Sequence, residues 1–356
     1  MGKIKVAIAG VGNCASSLVQ GIEYYKAVGK NSGFISGIAH NIIGDYRISD
    51  IEFVAAFDVD RNKVGTDLSD AIFKQPNCAS KFSQVFSLSV EVKKGHVLDG
   101  LGKNLKEIIP VDPQQKEVNI ANELKKSQAE ILINFLPTGS KTATEFYAEE
   151  ALNANCGFIN AIPEPIAATI KWQKKYLQAE LPLVGDDINS QLGATILHRT
   201  ITDLFVKRGC KIDHTLQLNN GSNTDFINLS EVSRGETKIT CKTEAIKKLI
   251  PYPSDVSVSI GTLSYSLDHL QDWKDTIIHF EGENFGSRPL TIDVKLHVDD
   301  SPNSAGVMVD VIRAMKMALD RGDSGVINPI CGYFFKSMPE HTDDCDAYRN
   351  FEKYLE

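Results

Sequence analysis

Up to about Lys207, short apolar runs alternate with stretches whose apolar residues recur at helical spacing. Lys3 to Ala9 is rich in Ile and Val, as a strand buried on both faces would be. Gly10-Val11-Gly12-Asn13-Cys14-Ala15 follows, and Leu18, Val19, Ile22 and Tyr25 then mark one face of a helix over 16–26. Ile51 to Phe57 predicts a second strand ending at Asp58, and Ile131 to Leu136 another, stopped by Pro137-Thr138-Gly139-Ser140. A helix over 142–153, an extended run over 157–162, a helix over 166–179 and the run 181–184 before Gly185-Asp186-Asp187 continue the alternation. A helix over 190–207 closes it, with Ser190 suited to its N-cap. Residues 62–109 are mixed, and the glycines over 95–102 predict exposed turns. The pattern is that of a doubly wound parallel sheet covered by helices.

Beyond Lys207 the period changes from helical to two. Leu290, Ile292, Val294, Leu296 and Val298 alternate with Thr, Asp, Lys and His, and the stretches 216–218, 256–260 and 276–280 also read as strands. This is the signature of a half-buried antiparallel sheet. Helical spacing returns over 304–319. The expectation is an α/β chain: a Rossmann domain from 1–205 plus 305–356, with an inserted α+β catalytic and oligomerisation domain over 206–304.

Composition narrows the function. A formal net charge of -8 argues against a nucleic-acid or anionic-membrane partner, although it does not exclude a local cationic pocket. No run of 18 apolar residues occurs, so no transmembrane helix is expected. The apolar stretch at 4–9 is too short for a signal-peptide core. Seven cysteines without a CxxC pair argue against a disulfide framework and point to a reducing cytoplasm. The eight histidines form no HExxH or close triad, so a catalytic zinc is not indicated.

Gly10-x-Gly12-x-x-Ala15 fits a dinucleotide fingerprint. The first glycine permits the tight strand-to-helix turn, the second lets backbone approach a diphosphate, and the small third residue lets helix and strand pack closely. Asn13 and Cys14 lie in the same turn, where the helix N-terminus offers free N–H groups. Asp58 is the candidate ribose acid, favouring NAD over NADP, with Asp60 as the alternative. Its gap from the glycines is lengthened by residues 27–50, which read as an inserted loop. Thr138, Gly139, Asp186, Asp187 and Ser190 follow later strand ends, where sheets of this kind place ligands. Adjacent buried acids need a cofactor edge, a lysine or a cation as partner, so a metal at Asp187 stays open. Cys14 is expected to pack near the cofactor, and His198 to be structural.

The segments 7–18, 53–60, 134–140 and 185–187 resemble the myo-inositol-1-phosphate synthase family in its compact prokaryotic form. Gln217-Leu218-Asn219, Asn223-x-Asp225-Phe226 and 300–306 continue the likeness. The resemblance implies an intramolecular lyase that converts glucose 6-phosphate to inositol phosphate without net redox change. NAD would oxidise carbon 5, an enolate would close on the aldehyde, and hydride would return. It further implies a cytoplasmic homotetramer serving inositol and phospholipid biosynthesis.

By the same resemblance, Lys238 and Lys242 match the family's active-site lysine pair, Lys274 and Lys336 a third and fourth lysine, Asp300 an assisting acid and Asn219 a substrate contact. Their expected roles are to hold a sugar oxyanion at carbon 5 (Lys274), to share the aldehyde and carbon 5 charges (Lys242 and Lys336) and to set a lysine's protonation (Asp300). Lys295, on the alternating strand, is compatible with the site or with solvent. Glu164 stands where a more apolar residue is expected, and Ser222 where the family has glycine. The competing readings are a dehydrogenase or cyclase acting on another sugar phosphate, and a non-catalytic NAD-binding paralogue.

Overall fold

The computed structural model of the chain describes residues 2–28, 33–231, 233–234, 243, 246–252, 255–263, 270–337, 339 and 344–356. Among the described residues seven strands form the first sheet: β1 (Ile4–Ala9), β2 (Ile51–Asp58), β3 (Val92–Lys94), β4 (Ile131–Asn134), β5 (Gly157–Asn160), β6 (Pro182–Val184) and β11 (Gly325–Val326). Their order is β11-β6-β5-β4-β1-β2-β3, and every pairing is parallel. The run 3-2-1-4-5-6 is the Rossmann order, with its reversal between β1 and β4.

Strands buried on both faces explain the apolar runs. Ile4, Val6 and Ile8 of β1 join one core, with helices Asn13–Val28, Asp300–Arg321, Asn328–Phe334 and Asp344–Leu355. Ala7 and Ala9 join the other, with helices Ile120–Ser127, Lys141–Asn153 and Ile170–Gln178. Helical spacing is legible from Ser304, yet the helix begins at Asp300. Asp272 accounts for the extra turn: its carboxylate accepts the Ser301 N–H at 3.2 Å and the Ser301 hydroxyl at 2.9 Å, satisfying orphan donors of the helix start.

The second sheet contains β7 (Lys211–Gly221), β8 (Ser257–Leu263), β9 (Trp273–Asn284) and β10 (Arg288–Asp299), in the order β10-β9-β7-β8. β9 pairs antiparallel with β10 and β7, but β7 and β8 run parallel, correcting the purely antiparallel expectation. Alternation reports which face a residue occupies and says nothing about strand direction. The stretch 222–256 is long enough to provide the crossover a parallel neighbour needs. Phe205 of helix Ala194–Lys207 packs with Ile212, Ile278 and Phe280 beneath the sheet. Lys295 lies exposed on the opposite face, so it does not enter the site.

Three local expectations are revised. Helix Ala194–Lys207 is N-capped by Gly193, and Ser190 precedes it, its Cβ 3.0 Å from where a Gly193 side chain would begin. The 95–102 turns are mostly covered, because the side chains of Glu231 and Arg234 lie over Gly102. The described part of the insertion buries Ile38, Ile43 and Ile48, which anchor it to the first core.

Candidate active site

One cavity of about 260 Å³ opens at the β1/β4 switch point. Its wall begins with the glycine turn. Gly10 has φ +93°, and a Cβ there would lie 2.7 Å from the Phe135 carbonyl oxygen, so only glycine lets β1 turn so close to β4. A Cβ at Gly12 would meet nothing within 4 Å, so the missing side chain leaves room for a ligand. Asp58 accepts the Val11 N–H at 2.7 Å and lines the cavity. Asp60 is buried, its Oδ1 accepts the Asn62 N–H at 2.9 Å, and it does not line the cavity. Asn13 joins three segments: its Oδ1 accepts from the Cys78 and Ala79 N–H groups, and its amide donates to Thr224 Oγ1 at 3.3 Å. Burial pushes the Cys14 thiol up to about 12, so it stays protonated and is no nucleophile. Ala15 is buried under the turn, where its small side chain lets helix and strand approach.

Two of the four lysines singled out in the sequence are described, and both reach this cavity. Lys274, near the start of β9, donates to Asp300 Oδ1 at 3.1 Å. Lys336, following helix Asn328–Phe334, donates to Asp187 Oδ1 and to the Ile188 carbonyl, each at 2.8 Å. Among the described residues the second Asp187 oxygen is buried without a partner, an acceptor available to a bound group. Lys238 and Lys242 lie outside the described residues. Among the described residues no group of three or more His, Cys, Asp or Glu side chains is placed to hold a metal ion.

Behind the Lys274–Asp300 pair sits Asp272, fully buried and hydrogen-bonded to Asn223 at 2.9 Å. Burial, with Asp300 nearby, holds its carboxyl well above the usual range. It connects the strand bearing Lys274 to the helix bearing Asp300, whose N–H donates to the Asp272 carbonyl at 3.0 Å. This link was not read from the sequence, although Asp272 stands only two residues before Lys274.

Other expected residues support the cavity without facing it. Asn219 is buried against Gln217, Thr276 and the Gly261 carbonyl. Asp186 accepts the N–H groups of Ile166, Ala167 and Ala168 and the Asn160 amide; burial nevertheless pushes its carboxyl up to about 6. Gly139 donates its N–H to Glu164 at 2.9 Å, which gives the unexpected glutamate a partner. Thr138 and Ser190 do line the cavity, and the Thr138 hydroxyl reaches Asp225 at 3.3 Å. Arg234 and Asn228 both donate to the Thr138 carbonyl, tying the second sheet's segment to the β4 loop. His198 is buried between Thr215 and Gln217, and desolvation pushes it down to about 4, so it is a neutral structural group.

The sheet, glycine turn and cavity lysines define a Rossmann-type enzyme. Residues 193–301 match the family described as Myo-inositol-1-phosphate synthase. The chain is 44% identical to the inositol-3-phosphate synthase of Corynebacterium glutamicum, over 99% of this chain and 98% of that protein. It is likewise 44% identical to the inositol-3-phosphate synthase of Mycolicibacterium smegmatis, over 100% of this chain and 98% of that one. The solved structure of Ari2 superimposes with a TM-score of 0.80 at 34% identity, covering 99% of each chain. The chain belongs to the myo-inositol-1-phosphate synthase family.

Proposed function

We propose that the chain is an inositol-3-phosphate synthase that cyclises glucose 6-phosphate to myo-inositol phosphate, with NAD regenerated in each turnover. The observation that carries this reading is the convergence of Lys274 and Lys336, each on a carboxylate, in the cavity that holds the glycine turn. An ordinary dehydrogenase has one oxyanion to hold; this cyclisation develops charge at carbon 5 and at the aldehyde, and it must also bind a phosphate.

The glycine turn, the open space at Gly12 and the Asp58 carboxylate fit a nicotinamide dinucleotide. When bound, NAD supplies the acceptor for a hydride from carbon 5 and the donor that restores it. Lys274 holds negative charge on the carbon 5 oxygen, and Asp300 sets that lysine's protonation. Lys336 shares the aldehyde and carbon 5 charges with Lys242, and Lys238 adds positive charge. Asn219, buried behind the cavity, acts by fixing β7 and β9 to each other. The nucleotide-binding domain is 1–205 with 305–356, and the catalytic and oligomerisation domain is 206–304. A homotetramer belongs to the same reading: Trp273 and Ile277 of β9 are 39% and 48% exposed in the single chain, apolar surface that a second subunit would cover. A cytoplasmic location and a role upstream of inositol phospholipids also belong to it.

Purified protein with glucose 6-phosphate and a trace of NAD should form inositol phosphate far in excess of NAD, with no net NADH. NADH in step with substrate loss would make the protein a dehydrogenase, and bound NAD without turnover a non-catalytic paralogue. Asp58→Ala should weaken NAD by about tenfold or more, the weight of a hydrogen bond to a charged group, measured by calorimetry. Equal affinity would remove Asp58 from the ribose contact.

A further inference from the structure

We propose that Lys63 is the cationic contact for the diphosphate of the bound dinucleotide. This inference rests on the reading of the cavity as a dinucleotide site. Lys63 is only 3% exposed, and its ammonium donates to the Val11 carbonyl and to Asn77 Oδ1, each at 2.9 Å. Both acceptors are neutral. Among the described residues no carboxylate oxygen lies within 4.0 Å of that nitrogen; Asp60 feels its field from farther away. A buried ammonium without a counter-ion is unfavourable, and two of its three donors are used.

Lys63 lines the cavity beside Gly10, Gly12 and Asp58. The Val11 peptide is held at both ends, its N–H by Asp58 at 2.7 Å and its oxygen by Lys63 and by the Asn77 amide at 3.0 Å. The positive charge is therefore fixed against the stretch of backbone that a dinucleotide approaches. The diphosphate is the part of NAD that carries negative charge, whereas the adenosine end presents hydroxyls suited to Asp58. A charge-assisted contact of this kind adds to the helix N-terminus. The sugar phosphate is the other anion in the reaction, and the test separates the two.

Full-length wild-type protein and Lys63→Met are titrated calorimetrically with ADP, adenosine, NAD and glucose 6-phosphate. The expected result is an ADP Kd raised about tenfold or more, with adenosine changed less than about twofold. ADP affinity should also lose part of its dependence on salt in the variant. Where Lys63→Met does not fold, Lys63→Gln keeps a donor for the Val11 carbonyl and is expected to show the same selective loss. Unchanged ADP affinity overturns the proposal. So does an equal loss for ADP and adenosine, which would mark a purely structural role, or a loss confined to glucose 6-phosphate. If the wild-type chain binds neither ADP nor NAD, the dinucleotide reading itself fails.

Discussion

Lys274→Ala should lower turnover of glucose 6-phosphate by about two orders of magnitude or more and leave NAD affinity nearly unchanged. The ammonium is partly shielded, with its side chain 20% exposed, and its nitrogen lies 5.9 Å from the Phe226 ring centroid. Removing it takes away charge stabilisation and also leaves Asp300 as an unneutralised carboxylate beside the developing oxyanion. The two effects can be separated. If Lys274 served only to neutralise Asp300, Lys274→Ala with Asp300→Asn would recover most of the activity. If it holds the oxyanion, the double variant stays as slow as the single one. Product formation gives kcat, and calorimetry gives NAD affinity. Turnover unaltered in Lys274→Ala would remove the residue from the mechanism.

The site's two kinds of residue differ in how far sequence reveals them. The glycine turn is legible because its constraint is local: Gly10 needs positive φ and Gly12 an absent side chain, and both sit between a strand and a helix. The lysines are not legible from local physics, since a lysine in a cavity and one in solvent look alike on the page. Lys274 and Lys336 became visible through family resemblance, whereas Lys63, with no such match, did not. Asn219 shows the opposite case. It falls next to motif residues, but on β7 it shares a face with Thr215 and Gln217, turned toward buried His198 and Thr276. The period-two pattern already implied that face. What it could not show was that polar side chains fill part of the interior there. The covered 95–102 turns were missed for a related reason: glycine signals a turn, while its burial depends on Arg234, far away in the chain.

Asp310→Ala should destabilise the protein by about 3–5 kcal/mol, because it leaves an arginine buried without its counter-charge. Arg313 is 0% exposed and Asp310 1%, on one face of helix Asp300–Arg321. Arg313 Nη2 pairs with Asp310, its Nε donates to the Val309 carbonyl at 3.1 Å, and Nη1 has no partner among the described residues. The other Asp310 oxygen lies 2.6 Å from His40 Nδ1, and His40 Nε2 lies 2.8 Å from Glu352 Oε1. One carboxylate thus joins the insertion, this helix and helix Asp344–Leu355. The hydrogen bond from Asp310, more than that from Glu352, holds the His40 pKa above its ordinary value against desolvation. The sign follows: this contribution is full below about 6.5, the unfolded histidine value, and is lost as pH rises through the folded one. Wild-type protein should therefore lose stability over that window in denaturant titrations, and Asp310→Ala should lose most of that slope. Arg313→Met added to Asp310→Ala should restore part of the stability, since an apolar side chain of similar length needs no counter-ion. A loss below about 1 kcal/mol in the single variant would mean that water reaches Arg313 once Asp310 is gone, and the buried-charge account would fall.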